Sequence, residues 1–141
     1  RTYASDNDPL DVLVLCQEDI EPLTLVECKP IGMLTMIDGG KKDAKILAVA
    51  INDPVYNRIT HINQISDHVL REIKHFFSVY KELEGKSTVI DKVDGPEIAM
   101  KIIYVCTFFR TFYGVEKIIT IMYNTKYRFY CYSRLTLCAD A

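Results

Sequence analysis

The sequence predicts an α+β domain, mainly β, and three observations predict it. Short apolar, β-branched runs bounded by turn residues fill the first fifty positions, the hydrophobic period turns helical between Asp67 and Leu83, and Gly95-Pro96-Glu97 has the form of a helix start. The first run, Leu10-Asp11-Val12-Leu13-Val14-Leu15, follows Asn7-Asp8-Pro9 and reads as a buried strand leaving a turn. Thr24 to Glu27, after Glu21-Pro22, is a second strand candidate. Ile31 to Ile37 and Lys45 to Ala50 read as a hairpin whose loop is Asp38-Gly39-Gly40-Lys41-Lys42-Asp43. Asp53-Pro54 breaks the chain. Val69, Leu70, Ile73, Phe76, Phe77, Tyr80 and Leu83 then recur at helical spacing, with Ser66 placed to cap the start and Gly85 just past the end. Proline suits the first helical position, so Pro96 opens a second helix running through Met100 and Ile103.

A chain of 141 residues fits one domain with room for a core. Its net charge of -2 and the lack of a basic run exclude general polyanion binding, so no nucleic-acid partner is expected. Five cysteines lie far apart with no CxxC pair, which argues against a disulfide framework or a zinc site and fits a reduced, cytoplasmic setting. Residues 1–6 lack the layout of a secretory signal. Composition shifts near Val105: residues 106–141 hold nine of the fifteen Phe and Tyr and five Lys or Arg against two acids, a basic aromatic tail. Arg110, Glu116 and Lys117 interrupt the apolar stretch from Ile102 to Tyr123, whereas a membrane span needs about 20 nearly uncharged residues.

The feature that carries chemistry is Asp6-Asn7-Asp8-Pro9-Leu10-Asp11, three carboxylates where a turn enters an apolar strand. Crowded carboxylates repel, so they are either fanned into water or held by cations. Asp38 and Asp43 again sit where strand-like runs meet, and two acidic loops at neighbouring strand ends can converge. Oxygen-only ligands suit hard cations, magnesium above all, which takes a few carboxylates, waters and phosphates. A calcium EF-hand fails on spacing, because Asp11 takes the position of the required glycine and Gln17 that of the bidentate Glu. Lys45, Tyr80 and Lys81 supply donors for phosphate oxygens. Tyr80 also continues the apolar stripe, and a tyrosine can bury its ring while its hydroxyl reaches a site.

Asp6-Asn7-Asp8-Pro9-Leu10-Asp11-Val12 resembles the signature of the soluble family I inorganic pyrophosphatases. Pro30 to Asp38 with Asp43-Ala44-Lys45, and His75 to Glu84, resemble two further blocks of that family, in a likeness covering roughly residues 1 to 103. Arg1-Thr2 and Asn52-Asp53-Pro54-Val55-Tyr56 look most like its plant branch. The resemblance implies a small OB-like antiparallel β-barrel flanked by helices, and hydrolysis of diphosphate to two orthophosphates. It further implies that Asp6, Asp11, Asp38 and Asp43 bind Mg2+ and that Asp8 is the general base toward a water or hydroxide bridging two metals. Lys45, Tyr80 and Lys81 would hold phosphate oxygens. Members of the family differ in assembly, which leaves a homo-oligomer open. Their amino-terminal strands precede the signature, so residues 1–105 read as an incomplete catalytic domain and 106–141 as a divergent tail, a truncated product with unrelated sequence at its end. The competing reading is a non-catalytic relative that still binds magnesium or a partner.

Overall fold

The computed structural model describes residues 10–21, 24–113, 120–125 and 128–133, with side chains described as far as Cys106. The elements run β1 (Asp11–Leu15), β2 (Cys28–Asp38), β3 (Lys41–Ala50), α1 (Asp67–Val79), β4 (Thr88–Asp94), α2 (Pro96–Tyr113), β5 (Thr120–Thr125) and β6 (Arg128–Ser133). The strands form one sheet in the order β4-β2-β3-β1-β5-β6.

The expected antiparallel barrel is not what the chain builds. β1 runs parallel to β3, with Asp11 opposite Lys45 and Leu15 opposite Val49, while β2 is antiparallel to both β3 and β4. The sheet is mixed and open: β4 pairs with β2 and ends the order on that side. The parallel step has a local cause. A two-residue turn at Gly39 and Gly40, both at positive φ, forces β2 and β3 to run opposite ways. Residues 16–27 carry the chain from the end of β1 to the start of β2, leaving β1 on the far side of β3 and running with it.

These two strands are covered on both faces, which is why Val12 to Leu15 and Ile46 to Val49 are continuous apolar runs. Alternation sorts them into two cores. Val12, Val14, Ile46 and Ala48 pack with Met33 and with Ala99, Ile103 and Cys106 of α2. Leu13, Leu15, Leu47 and Val49 pack on the other face with Leu34, Met36, Ile62 and with Ile73 and Phe77 of α1. The described residues thus form a helix, a sheet and a helix in layers.

Local signals behave unevenly. Ser66 caps α1 by accepting the Val69 N–H, and Pro96 opens α2. The first helix nonetheless ends at Val79, and a short 3-10 turn at Glu82–Glu84 closes on Gly85 at φ 70°. That break interrupts the helical progression, so Leu83 is fully exposed and does not extend the apolar stripe. Thr24 to Glu27 is no strand: the Thr24 N–H donates to the Glu21 carbonyl (3.2 Å), and the ladder begins at Cys28. The acidic loop is shorter than its sequence implies, since Lys41, Lys42 and Asp43 belong to β3. α2 continues through residues 105 and 106, and β5 joins the far edge of β1 in parallel.

Candidate functional site

Strand alternation decides where the charged residues go. Asp11, Asp43 and Lys45 are in phase with Leu13, Leu47 and Val49, and Asp38 with Leu34 and Met36, so all four lie on the face that α1 covers. They sit at one end of the sheet, beside the β2–β3 turn. The end of α1 delivers Tyr80 and Lys81 to the same place.

Two clusters form there. Lys45, only 5% exposed, directs its ammonium at Asp11, its register partner across the parallel pair, and at Asp43 Oδ2 at 2.8 Å. Burial by itself would depress the lysine, but the charges of Asp11 and Asp43 and their hydrogen bonds outweigh it and hold the ammonium above its ordinary range. In the second cluster Lys81 donates to Asp38 and lies 5.3 Å from the centroid of the Tyr80 ring. The hydrogen bond from Lys81 holds the Asp38 carboxyl below its usual value, against the opposing effect of burial. Burial raises the Tyr80 phenol, which keeps its proton as a donor, while Lys45 and Lys81 partly offset that rise. The clusters feel each other: the charge of Lys45 acts on both Asp38 and Tyr80.

Six of the eight residues expected from the sequence therefore meet at one end of one face. Asp6 and Asp8 lie outside the described residues. Among the described residues no three His, Cys, Asp or Glu gather into a group that could hold a metal ion. The donor set nonetheless fits a hard cation: Asp11 and Asp43 bring carboxylate oxygens alone to a single positive point, which Lys45 occupies. Lysines beside carboxylates can also take phosphate oxygens, so the arrangement suits a cation and a phosphate anion together.

Two side chains that tie these elements together were not evident in the sequence, Asp53 at the opposite end of β1 and β3 and Thr88 beside Asp38. Asp53, 7% exposed, accepts N–H groups from Gln17 (2.6 Å), Val55 (2.8 Å) and Tyr56 (2.7 Å), tying the loop after β1 to the loop after β3. The Asp-Pro pair signalled a turn, and an Asp side chain that caps its own turn was readable from it. Thr88 Oγ1 donates to the Phe77 carbonyl, and no local pattern marks it.

Comparison with known proteins adds the family evidence. Residues 1–109 match the family model described as inorganic pyrophosphatase. The chain is 46% identical over 103 residues to soluble inorganic pyrophosphatase 2 of Chlamydomonas reinhardtii, covering 73% of this chain and 54% of that protein. It is 42% identical over 106 residues to the inorganic pyrophosphatase of Geobacillus stearothermophilus, covering 75% of this chain and 64% of the relative. The chain thus spans less than two thirds of the length of these curated relatives. Its fold is similar to the crystal structure of the inorganic pyrophosphatase from Thermus thermophilus, with a TM-score of 0.74 at 33% identity over 78% of this chain and 65% of that one.

Proposed function

The chain belongs to the inorganic pyrophosphatase family, and from that premise we propose that it hydrolyses inorganic diphosphate to two orthophosphates with magnesium as cofactor. The observation that carries this reading is the meeting of Asp11, Asp43 and Lys45 with Asp38, Tyr80 and Lys81 on one end of one face. Asp11, Asp38 and Asp43, with Asp6, are the residues to hold magnesium. Bound magnesium would neutralise diphosphate charge and acidify an attacking water. Asp8 is the general base: its carboxylate takes a proton from the water whose oxygen bonds to phosphorus, as the bridging P–O bond breaks and its electrons leave with the second orthophosphate. Lys45 and Lys81, both held charged, and the protonated Tyr80 hydroxyl grip phosphate oxygens and orient them. The same reading makes the chain plant-type and cytoplasmic, with diphosphate as its small-molecule partner and neither nucleic acid nor membrane.

One observation favours a second reading, a family member that binds magnesium without turnover. Lys45 and Lys81 are already paired with carboxylates, so both ammonium groups of the described site have an anionic partner without a ligand. Phosphate release from diphosphate, with and without magnesium and beside Asp8→Asn, separates the two. Magnesium-dependent release that falls by about 100-fold or more in the variant is expected. A folded wild-type chain that releases no phosphate selects the second reading, and an unchanged Asp8→Asn rate removes Asp8 from the base role.

A further inference from the structure

Phosphate-holding side chains at a helix end need that end fixed relative to the strands carrying the carboxylates. One buried hydroxyl does this. We propose that Thr88 is a positioning residue that sets Lys81 and Tyr80 against Asp38, an inference resting on the diphosphate reading for its kinetic consequences.

Thr88 opens β4 and is buried, and its register partner in β2 is Asp38. Its hydroxyl donates to the backbone carbonyl of Phe77 in the last turn of α1. One residue thus touches both halves of the site: its backbone lies beside the strand carrying Asp38, and its side chain holds the turn that leads into Tyr80 and Lys81.

The choice of carbonyl matters. The Tyr80 N–H closes the final helical bond on Phe76, and in a continuing helix the Phe77 carbonyl would accept from the Lys81 N–H. Here Phe77 accepts from Thr88, and Lys81 turns out of helical geometry to φ -105°, ψ 7°. From there its ammonium reaches Asp38. Without the hydroxyl, Phe77 either stays unpaired in a buried place or recruits the Lys81 N–H, which extends the helix and rotates the lysine away from Asp38.

The test uses the full chain with Thr88→Val, which keeps the shape and removes the donor, and Thr88→Ser, which keeps the donor. Thr88→Val is expected to raise KM for diphosphate about fivefold, the worth of one ordinary hydrogen bond, with a smaller change in kcat. Thr88→Ser should return KM to near wild type. Should the Val variant not fold, Thr88→Cys, a weak donor of similar size, is expected to give an intermediate KM. Equal KM in all variants, or equal loss in Val and Ser, overturns the proposal. A wild-type chain that releases no phosphate overturns the activity reading instead, and the positioning role is then decided by nitrogen NMR of the lysine ammonium groups. In Thr88→Val the Lys81 signal should move while that of Lys45 stays, and an unmoved Lys81 signal overturns the positioning role.

Discussion

The carboxylate of Asp53 serves the backbone of two loops that have no ladder to satisfy them. Its oxygens accept from Gln17, 36 positions earlier, and from Val55 and Tyr56 in its own turn. Burial alone would raise its carboxyl, but the three N–H donors outweigh it and hold the group below the ordinary carboxylate range. A carboxylate lowered on folding adds stability that is fully present above its unfolded value, near 3.9, and is lost as pH falls through the folded one. Asp53→Ala is therefore expected to cost about 2–4 kcal/mol at neutral pH by stranding buried donors. It should also flatten the loss of stability as pH falls below about 4. Urea midpoints measured across that range check both, and curves that stay parallel would show that Asp53 is not the group titrating there. The turn at Asp53-Pro54 was legible, since proline and aspartate act on their immediate neighbours. Its tie to Gln17 was not, because a contact across 36 residues depends on where the strands have already placed both loops.

Elements were legible where a signal is local. Ser66, the stripe Ile73 and Phe77, the Gly39-Gly40 turn and Pro96 all act within a turn of themselves, and each does as its chemistry requires. The early end of α1 was not legible, because Thr88, eleven residues beyond Phe77, takes the carbonyl the helix would have used next. β2 carries another such hidden constraint. Its pairing with β3 shifts register between Pro30 and Gly32, and a Cβ on Gly32 would stand 2.8 Å from the Asp94 carbonyl oxygen and 2.8 Å from Ile62 Cβ. Neither neighbour is the free end of a side chain, so neither can swing away. Gly32→Ala is expected to destabilise by about 1–3 kcal/mol through overpacking. Gly39→Ala is strained by its positive φ of 55° but meets no neighbour within 4 Å, and should cost less. Thermal unfolding of the pair gives the order, and a Gly32→Ala chain at least as stable as Gly39→Ala would mean that the approach of β2 to Asp94 and Ile62 relaxes freely.

At the scale of the whole molecule, the candidate site exists because β1 lies beside β3 and not beside β2. That pairing puts Asp11 opposite Lys45 and lets one buried ammonium tie β3 to β1 through Asp11 while it also pairs with Asp43 of its own strand. The apolar, β-branched run at Leu10 to Leu15 read as a buried strand, but strand direction depends on the 16–27 connection, and the antiparallel barrel expected from the resemblance fails at that step. Asp11, Asp38, Asp43, Lys45, Tyr80 and Lys81, which the structure brings together, are nevertheless singled out by the sequence, because the acids and lysines of a motif can be recognised before their geometry is known. A site spread over β1, β2, β3 and the end of α1 has a global consequence: an ion that binds only where these elements meet binds the folded chain alone. Magnesium is accordingly expected to raise the unfolding midpoint, and at 100 times its dissociation constant the gain is about 2.7 kcal/mol. Asp11→Asn or Asp43→Asn should lower that gain. Asp53→Ala, which weakens the fold by way of the loops, should keep it from a lower starting point. Scanning calorimetry of the wild type and the three variants across a magnesium titration reads this directly. A midpoint that rises equally in all four would assign the effect to general screening of the chain's charge, because only a bound ion depends on which carboxylate is removed.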